Sequence, residues 1–311
     1  MGASAGLDLV GIWAAGAICT GFANSLGQRN WHACESFNFD WSCYFAGDKA
    51  VKANYAGLYW DPAELKLRMQ HARADLETMK RPPKTIETGR YRAYLAPRAL
   101  SEILEMMAWG GFGLKSQRTG QSPLILMQSE GRRLAPAVNI SEHHGRGFVP
   151  PFTSEGFTMP ERVNLVADGA YRDALVGARS AREYDAPVNA RGEWPASLDV
   201  APGRLAAGGV INTLDTGLYL NNLWYLNFSD RNQARITGMT RFACFWVEGG
   251  KIRAPVGVMR FDDSIFRMLG ENLLGLTRER ELLLDPGTYG GRSSQSVELP
   301  GALIEDLAFT L

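Results

Sequence analysis

This 311-residue chain lacks a charge imbalance, paired cysteines and a long apolar run. Lys plus Arg and Asp plus Glu both number 33, so no net field draws nucleic acid, an anionic membrane surface or an acidic partner. The cysteines at positions 19, 34, 43 and 244 form no CxxC and no framework spacing, which is the usage of a reducing compartment and points to the cytoplasm. The most apolar segment, LVGIWAAGAICTGFA (Leu9 to Ala23), is too short to span a bilayer, is interrupted by glycines and follows Asp8 instead of a basic stretch. It is expected as a buried strand. The opening MGASAG carries Gly at position 6, where an acylation signal needs Ser or Thr. No GxSxG elbow occurs.

The residues present describe a soluble globular protein, 45% hydrophobic and 21% charged, of one large domain or two moderate ones. Leu7 to Tyr59 is rich in β-branched, aromatic and small residues, and its first part reads as a pair of strands around glycine turns. DPAELKLRMQHARADLETMKRPPK then predicts a helix. Asp61 is its N-cap, Pro62 its first residue, Glu64 closes a capping box, and Pro82-Pro83 stop it. Leu65, Met69, Ala72, Leu76 and Met79 form its apolar stripe, and His71 lies off that stripe as a solvated residue. KRPPKTIETGR has linker composition, which places a domain boundary near Glu87 and predicts domains over 1–86 and 87–311.

Beyond the linker, YRAYLAP predicts a strand and RALSEILEMMAWGGFG a buried helix, apolar on most sides. Two hairpins are expected, turning at Asp168-Gly169 and Gly249-Gly250. FDDSIFRMLGENLLGLTRERELLLD reads as a last helix, with Asp262-Asp263 in its N-cap region, before a final strand, Leu299 to Leu311.

Candidate chemistry is sparse. GGFGLKSQRTG has Leu114 where a phosphate loop needs Gly before Lys-Ser. His32 and Cys34 share one side of a strand, with Cys43 further along, but a fourth metal ligand is missing from any recognisable spacing. His143-His144 sits in a polar turn and reads as solvated loop. Cys244 lies between aromatic neighbours on a strand whose two faces are both apolar, which raises a thiol pKa and makes packing its role.

GLYLNNLWYLNFSDRNQARITGMTRFACFWVEGGKIRAPVGVMRF (Gly217 to Phe261) resembles the end of the TldD/PmbA family, in its PmbA or TldE-like branch. FTSEGFTMP, RSAREYDAPVNARG and RSSQSVELPGALIEDLAF agree in order. The resemblance implies an α+β protein: a truncated N-terminal α/β domain, then a mainly antiparallel β C-terminal domain with a few helices, assembling as dimers. It also implies a zinc peptidase assembly acting on unstructured peptides, whose active subunit carries HExxxH, and a family described as modulators of DNA gyrase. Placing Glu102 on the motif's glutamate puts Ser101 and Met106 on the two histidine positions, and the C-terminal TYGGRSSQSVELPG holds no Cys ligand. The chain is therefore expected to be the non-catalytic TldE-like member, with no catalytic or metal residues and no cofactor of its own. Zinc is expected in a TldD-like partner subunit.

Family members carry a substantial segment ahead of the point where this sequence starts, so an exposed sheet edge is expected near the N-terminus. Asn221, Asn222, Trp224 and Arg231 are the candidate peptide-binding residues, since extended peptides bind by adding to sheet edges. The alternatives are a hydrolase using Cys244, or a metal held by His32, Cys34 and loop carboxylates, and a homodimeric peptide-binding scaffold.

Overall fold

The computed structural model describes residues 8–46 and 49–310. The chain opens with three antiparallel strands, β1 (Asp8–Ala23), β2 (Arg29–Ala46) and β3 (Lys49–Gly57), in a sheet of their own. The helix α1 (Pro62–Met79) follows and packs on β2 and β3. Everything after it builds one larger sheet. In chain order its strands are β4 (Gly89–Leu95), β5 (Ile140–His143), β6 (Arg162–Ala167), β7 (Ala170–Tyr171) and β8 (Ser197–Val200), then β9 (Gly217–Asp230), β10 (Arg235–Val247), β11 (Ile252–Pro255), β12 (Arg260–Ser264), β13 (Leu273–Leu284) and β14 (Ser296–Phe309).

These strands run β11-β10-β9-β4-β14-β8-β5-β6-β7, with β12 bridging β10 and β14 and β13 paired to β14. The β4–β9 and β14–β8 pairs are parallel and the rest antiparallel. Against the sheet lies α2 (Pro97–Ala108), whose Ala99, Leu100, Ile103, Leu104 and Met107 are buried. The protein is α+β, mostly strand, and among the described residues no helix is long and apolar enough to cross a membrane.

Two cores hold this arrangement. The larger joins α2 to the inner residues of β4, β9, β10 and β14. The smaller is aromatic, with Phe37, Trp41 and Tyr55 from the first sheet, Ala72, Leu76 and Met79 from α1, and Ala243 and Phe245 from β10. Since successive residues of a strand face opposite ways, β10 serves both cores at once, with Cys244 in one and Phe245 in the other. That shared strand fixes the first sheet against the second.

Local expectations fail where a neighbour overrides the pattern. Leu9 to Ala23 is one continuous strand and is largely exposed, because β1 is the outer strand of a three-stranded sheet. Its glycines are not turns. Gly11 lies opposite Trp41, and a Cβ there would stand 2.8 Å from the Trp41 Cβ. The capping box is incomplete: Asp61 accepts from the Ala63 amide, but Glu64 turns to Arg68 and the Asp61 amide donates to Tyr55 Oη.

The predicted last helix is mostly strand, β12 and β13, joined by a short helical turn at Arg267–Glu271. Pairing with β14 supplies the partners that its apolar residues lack as an isolated helix. Asp262 and Asp263 therefore lie on β12. The buried Asp263 takes Arg267 Nε at 3.1 Å and the Ala308 amide at 3.2 Å. Both hairpins turn where expected, with Asp168, Gly169, Gly249 and Gly250 all at positive φ.

Candidate functional site

Where the first sheet meets α2, an ion-pair cluster separates two hollows. Asp40 on β2 reaches across to Arg98, in the first turn of α2, and lies 3.8 Å from Lys52 Nζ on β3. The side chains of Asp40 and Arg98 are only 14% and 15% exposed, so each needs the other. Lys52 and Arg98 line both hollows.

The first cavity, of about 500 Å³, runs along the outer face of α2. Ser101, Glu102 and Glu105 form one wall, Trp194 and Pro195 another, and Asp285 and Gln295, at the two ends of the Gly- and Ser-rich loop, a third. Burial pushes the Glu102 carboxyl up and Glu105 adds to the rise, while Arg98 and Lys52 oppose it. Ser101 Oγ donates to the Arg98 carbonyl.

This wall does not suit the zinc of a peptidase. Met106 is buried in the core, Ser101 is turned back on its own helix, and the loop offers Ser and Gly where a thiolate would be needed. Among the described residues no group of three or more His, Cys, Asp or Glu is placed to hold a metal.

The second cavity, of about 390 Å³, lies across the partition. One stripe of α1 faces it with Arg68, His71 and Asp75, and Tyr94 of β4 and Tyr219 of β9 complete the wall. His71 is exposed, as expected from the sequence, but to this hollow.

The four candidate peptide residues are not gathered on one surface. Asn221 lines the second cavity, its amide 3.5 Å from the Lys52 carbonyl. Asn222 is buried, its Oδ1 without a partner among the described residues. Trp224 is 48% exposed, stacked by the Arg241 guanidinium at 4.8 Å and beside the exposed Tyr225. Arg231 clamps another loop, donating to the Trp109 and Gln121 carbonyls and lying over the Phe228 ring.

Cys244 is fully enclosed, its thiol against the Arg241 and Asn222 carbonyls and its pKa pushed up by burial. It is packing. Cys34 and Cys43 fall in different clusters, so with His32 they make no shared site. Lys115 is the second residue of a short helix, Leu114–Arg118; its amide donates to Glu193 Oε1 and the Leu114 amide to the Leu175 carbonyl, leaving no phosphate cradle.

The reading of His143-His144 as solvated loop is corrected. His144 is 3% exposed, its Nδ1 donating to the Pro160 carbonyl at 2.8 Å and its Nε2 3.4 Å from the buried Glu142. His143 touches Arg162 Nη2 at 2.8 Å, and burial, then Arg162, lowers its pKa. These residues knit β5 to β8, since Glu142 Oε1 also accepts the Ala196 and Ser197 amides.

Asp40, Lys52, Asp75, Arg98, Tyr94 and Tyr219 escape motif reading because they come from six separate elements. The one local signal is on α1, where Arg68, His71 and Asp75 repeat at helical spacing beside the apolar stripe.

No curated protein matches the chain by sequence. Among solved structures, TldE from Thermococcus kodakarensis is similar with a TM-score of 0.79 at 12% identity, over 97% of this chain and 69% of that one. A protein described as a candidate modulator of a DNA gyrase from Thermotoga maritima gives 0.72 at 18% identity, over 94% and 67%. One described likewise from Bacteroides thetaiotaomicron gives 0.71 at 14%, over 96% and 65%. At these identities the likeness is one of fold, and this chain spans about two thirds of each structure's length. The model of the PmbA/TldA metallopeptidase C-terminal domain matches residues 88–311, more than half of the chain, which therefore belongs to the PmbA/TldD metallopeptidase-related family.

Proposed function

We propose that this chain is the non-catalytic, TldE-like subunit of a cytoplasmic zinc peptidase assembly, and that it holds an extended peptide for a TldD-like subunit carrying HExxxH. The carrying observation is the wall of α2. It lines a cavity large enough for peptide side chains with Ser101, Glu102 and Glu105, a donor set without imidazole or thiolate. Asn221 and the Trp224–Arg241 stack, both on the paired strands β9 and β10, offer further contacts for such a peptide. Cys244 has no nucleophilic part in this reading, and iodoacetamide at neutral pH should label the exposed Cys19 well before it.

The test is reconstitution with a TldD-type protein. The chain alone should bind near-background zinc and leave unstructured peptides intact, and the mixture should cleave them faster than the TldD-type protein by itself. One zinc per chain together with cleavage by this chain alone would overturn the proposal. Self-association is a second reading, favoured by the exposed Val10, Ile12 and Trp13 of β1.

A further inference from the structure

We propose that the cavity between α1, β4 and β9 is an ammonium site: it takes a free amino group of an extended peptide, at its terminus or on a lysine side chain, against Asp75 and beside Tyr94 and Tyr219. This deepens the peptide reading given above and rests on it. Every lining cation already has an acid. Lys52 and Arg98 share Asp40, Arg68 holds Glu64 at 2.7 Å, and Arg280 holds Asp199 at 2.6 Å. Of the lining acids, Glu281 stands 3.8 Å from Arg68, and Glu279 accepts only backbone hydrogen bonds. Asp75 has no ion-pair or hydrogen-bond partner among the described residues, and burial alone pushes its carboxyl up to about 6. Asp75 is half-buried, and a carboxyl partly withdrawn from water without a cation gains from one arriving.

The tyrosines report the same field. Both phenols are pushed up, by burial first, then by Glu281 and Glu279 at Tyr94 and by Tyr94, Asp75 and Glu281 at Tyr219. No Lys or Arg offsets the rise at either ring. Neither hydroxyl has a hydrogen-bond partner among the described residues, which leaves two oxygens free to accept from an ammonium. The rings stand 5.3 Å apart at 42°, and aromatic walls attract cations further. Tyr94 reaches this position because residue 301 is Gly: a Cβ there would lie 2.1 Å from the phenol oxygen.

The first cavity differs. There burial and Glu105 raise the Glu102 carboxyl, but Arg98 and Lys52 oppose the rise, so that acid is partly answered.

The test uses Lys-free hexapeptide amides of small residues in three forms: free amino terminus, acetylated, and acetylated with one lysine added. Binding is measured by calorimetry at pH 7.5 and pH 5, to the full chain and to Asp75→Asn. The free or the lysine form should bind about tenfold more tightly than the acetylated one at pH 7.5. Which of the two does so identifies the source of the ammonium. The advantage should shrink at pH 5, as Asp75 protonates, and vanish in Asp75→Asn without change in the acetylated peptide's affinity. His71 faces the same cavity one turn earlier, so a pH response that survives Asp75→Asn belongs to it and counts against the site.

Equal binding of all three forms would overturn the ammonium site while leaving the peptide reading intact. If no peptide binds, the peptide reading falls, and pentylammonium against pentanol decides the site separately. Resonance shifts at Tyr94 and Tyr219 with the amine only, lost in Asp75→Asn, would uphold it, and their absence would end it.

Discussion

The two cavities share a wall and differ in what that wall leaves unanswered. On the α2 side, Glu102 is raised by burial and by Glu105 but meets Arg98 and Lys52. On the α1 side, Asp75 is raised by burial with nothing opposing it. Both carboxyls come from helices and both face a hollow lined by Lys52 and Arg98; what separates them is that these cations act on Glu102 and none acts on Asp75. Chemical character here is set by which side of one ion pair a group lies on.

Removing the partition should have the largest effect. Asp40→Ala leaves the Arg98 guanidinium, 15% exposed, without its acid, and losing one partner of a buried pair costs about 3–5 kcal/mol. Chemical denaturation should show that loss, and Asp40→Ala with Arg98→Met should recover much of it. Failure to recover would mean that the cluster is held by Lys52 instead.

Asp75→Asn should act in the opposite direction. The Asp75 carboxyl stands at 3.8 in the reference state and about 6 in the fold. Below pH 3.8 both states hold the proton; between the two values the folded state binds more, so stability falls as pH rises; above 6 the loss is complete. The variant should therefore be more stable at pH 7.5 by at most about 3 kcal/mol, and the gain should disappear by pH 4. Glu102→Gln should show the same sign with a smaller gain, because Arg98 and Lys52 already offset the burial. Larger stabilisation from Glu102→Gln than from Asp75→Asn would invert the comparison of the cavities.

Much of the fold was legible and most of the site was not, for one physical reason. Local pattern identifies an element, but its surroundings decide what it does. Leu9 to Ala23 and Leu299 to Phe309 are similarly apolar in sequence, yet β1 is exposed along most of its length and β14 is buried along most of its own. β14 lies mid-sheet between β4 and β8, whereas β1 has β2 on one side only. The buried helix 97–108 and the two hairpin turns could be read because their signals are local. The stretch Phe261 to Asp285 misled because helical spacing and strand pairing suit the same residues, and β14 decides between them. The site needs Asp40, Asp75 and Arg98 from three elements brought together, and no spacing announces that. Asn222 shows the converse, a polar residue in a suggestive run whose side chain ends up buried.

The exposed strand gives the smallest expected effect and tests the same contrast. Val10 is 59% exposed on β1, whereas Ile304 on β14 is fully buried. Ile304→Ala should cost about 2–5 kcal/mol, because it empties part of a packed core. Val10→Lys should change stability by no more than about 0.5 kcal/mol, because the new charge reaches water and a charged outer strand resists edge pairing. Denaturation midpoints at two protein concentrations separate the cases. A concentration-dependent loss above about 1 kcal/mol for Val10→Lys would mean that the face of β1 is covered by a second copy in solution, so that its exposure belongs to the single chain and not to the assembly.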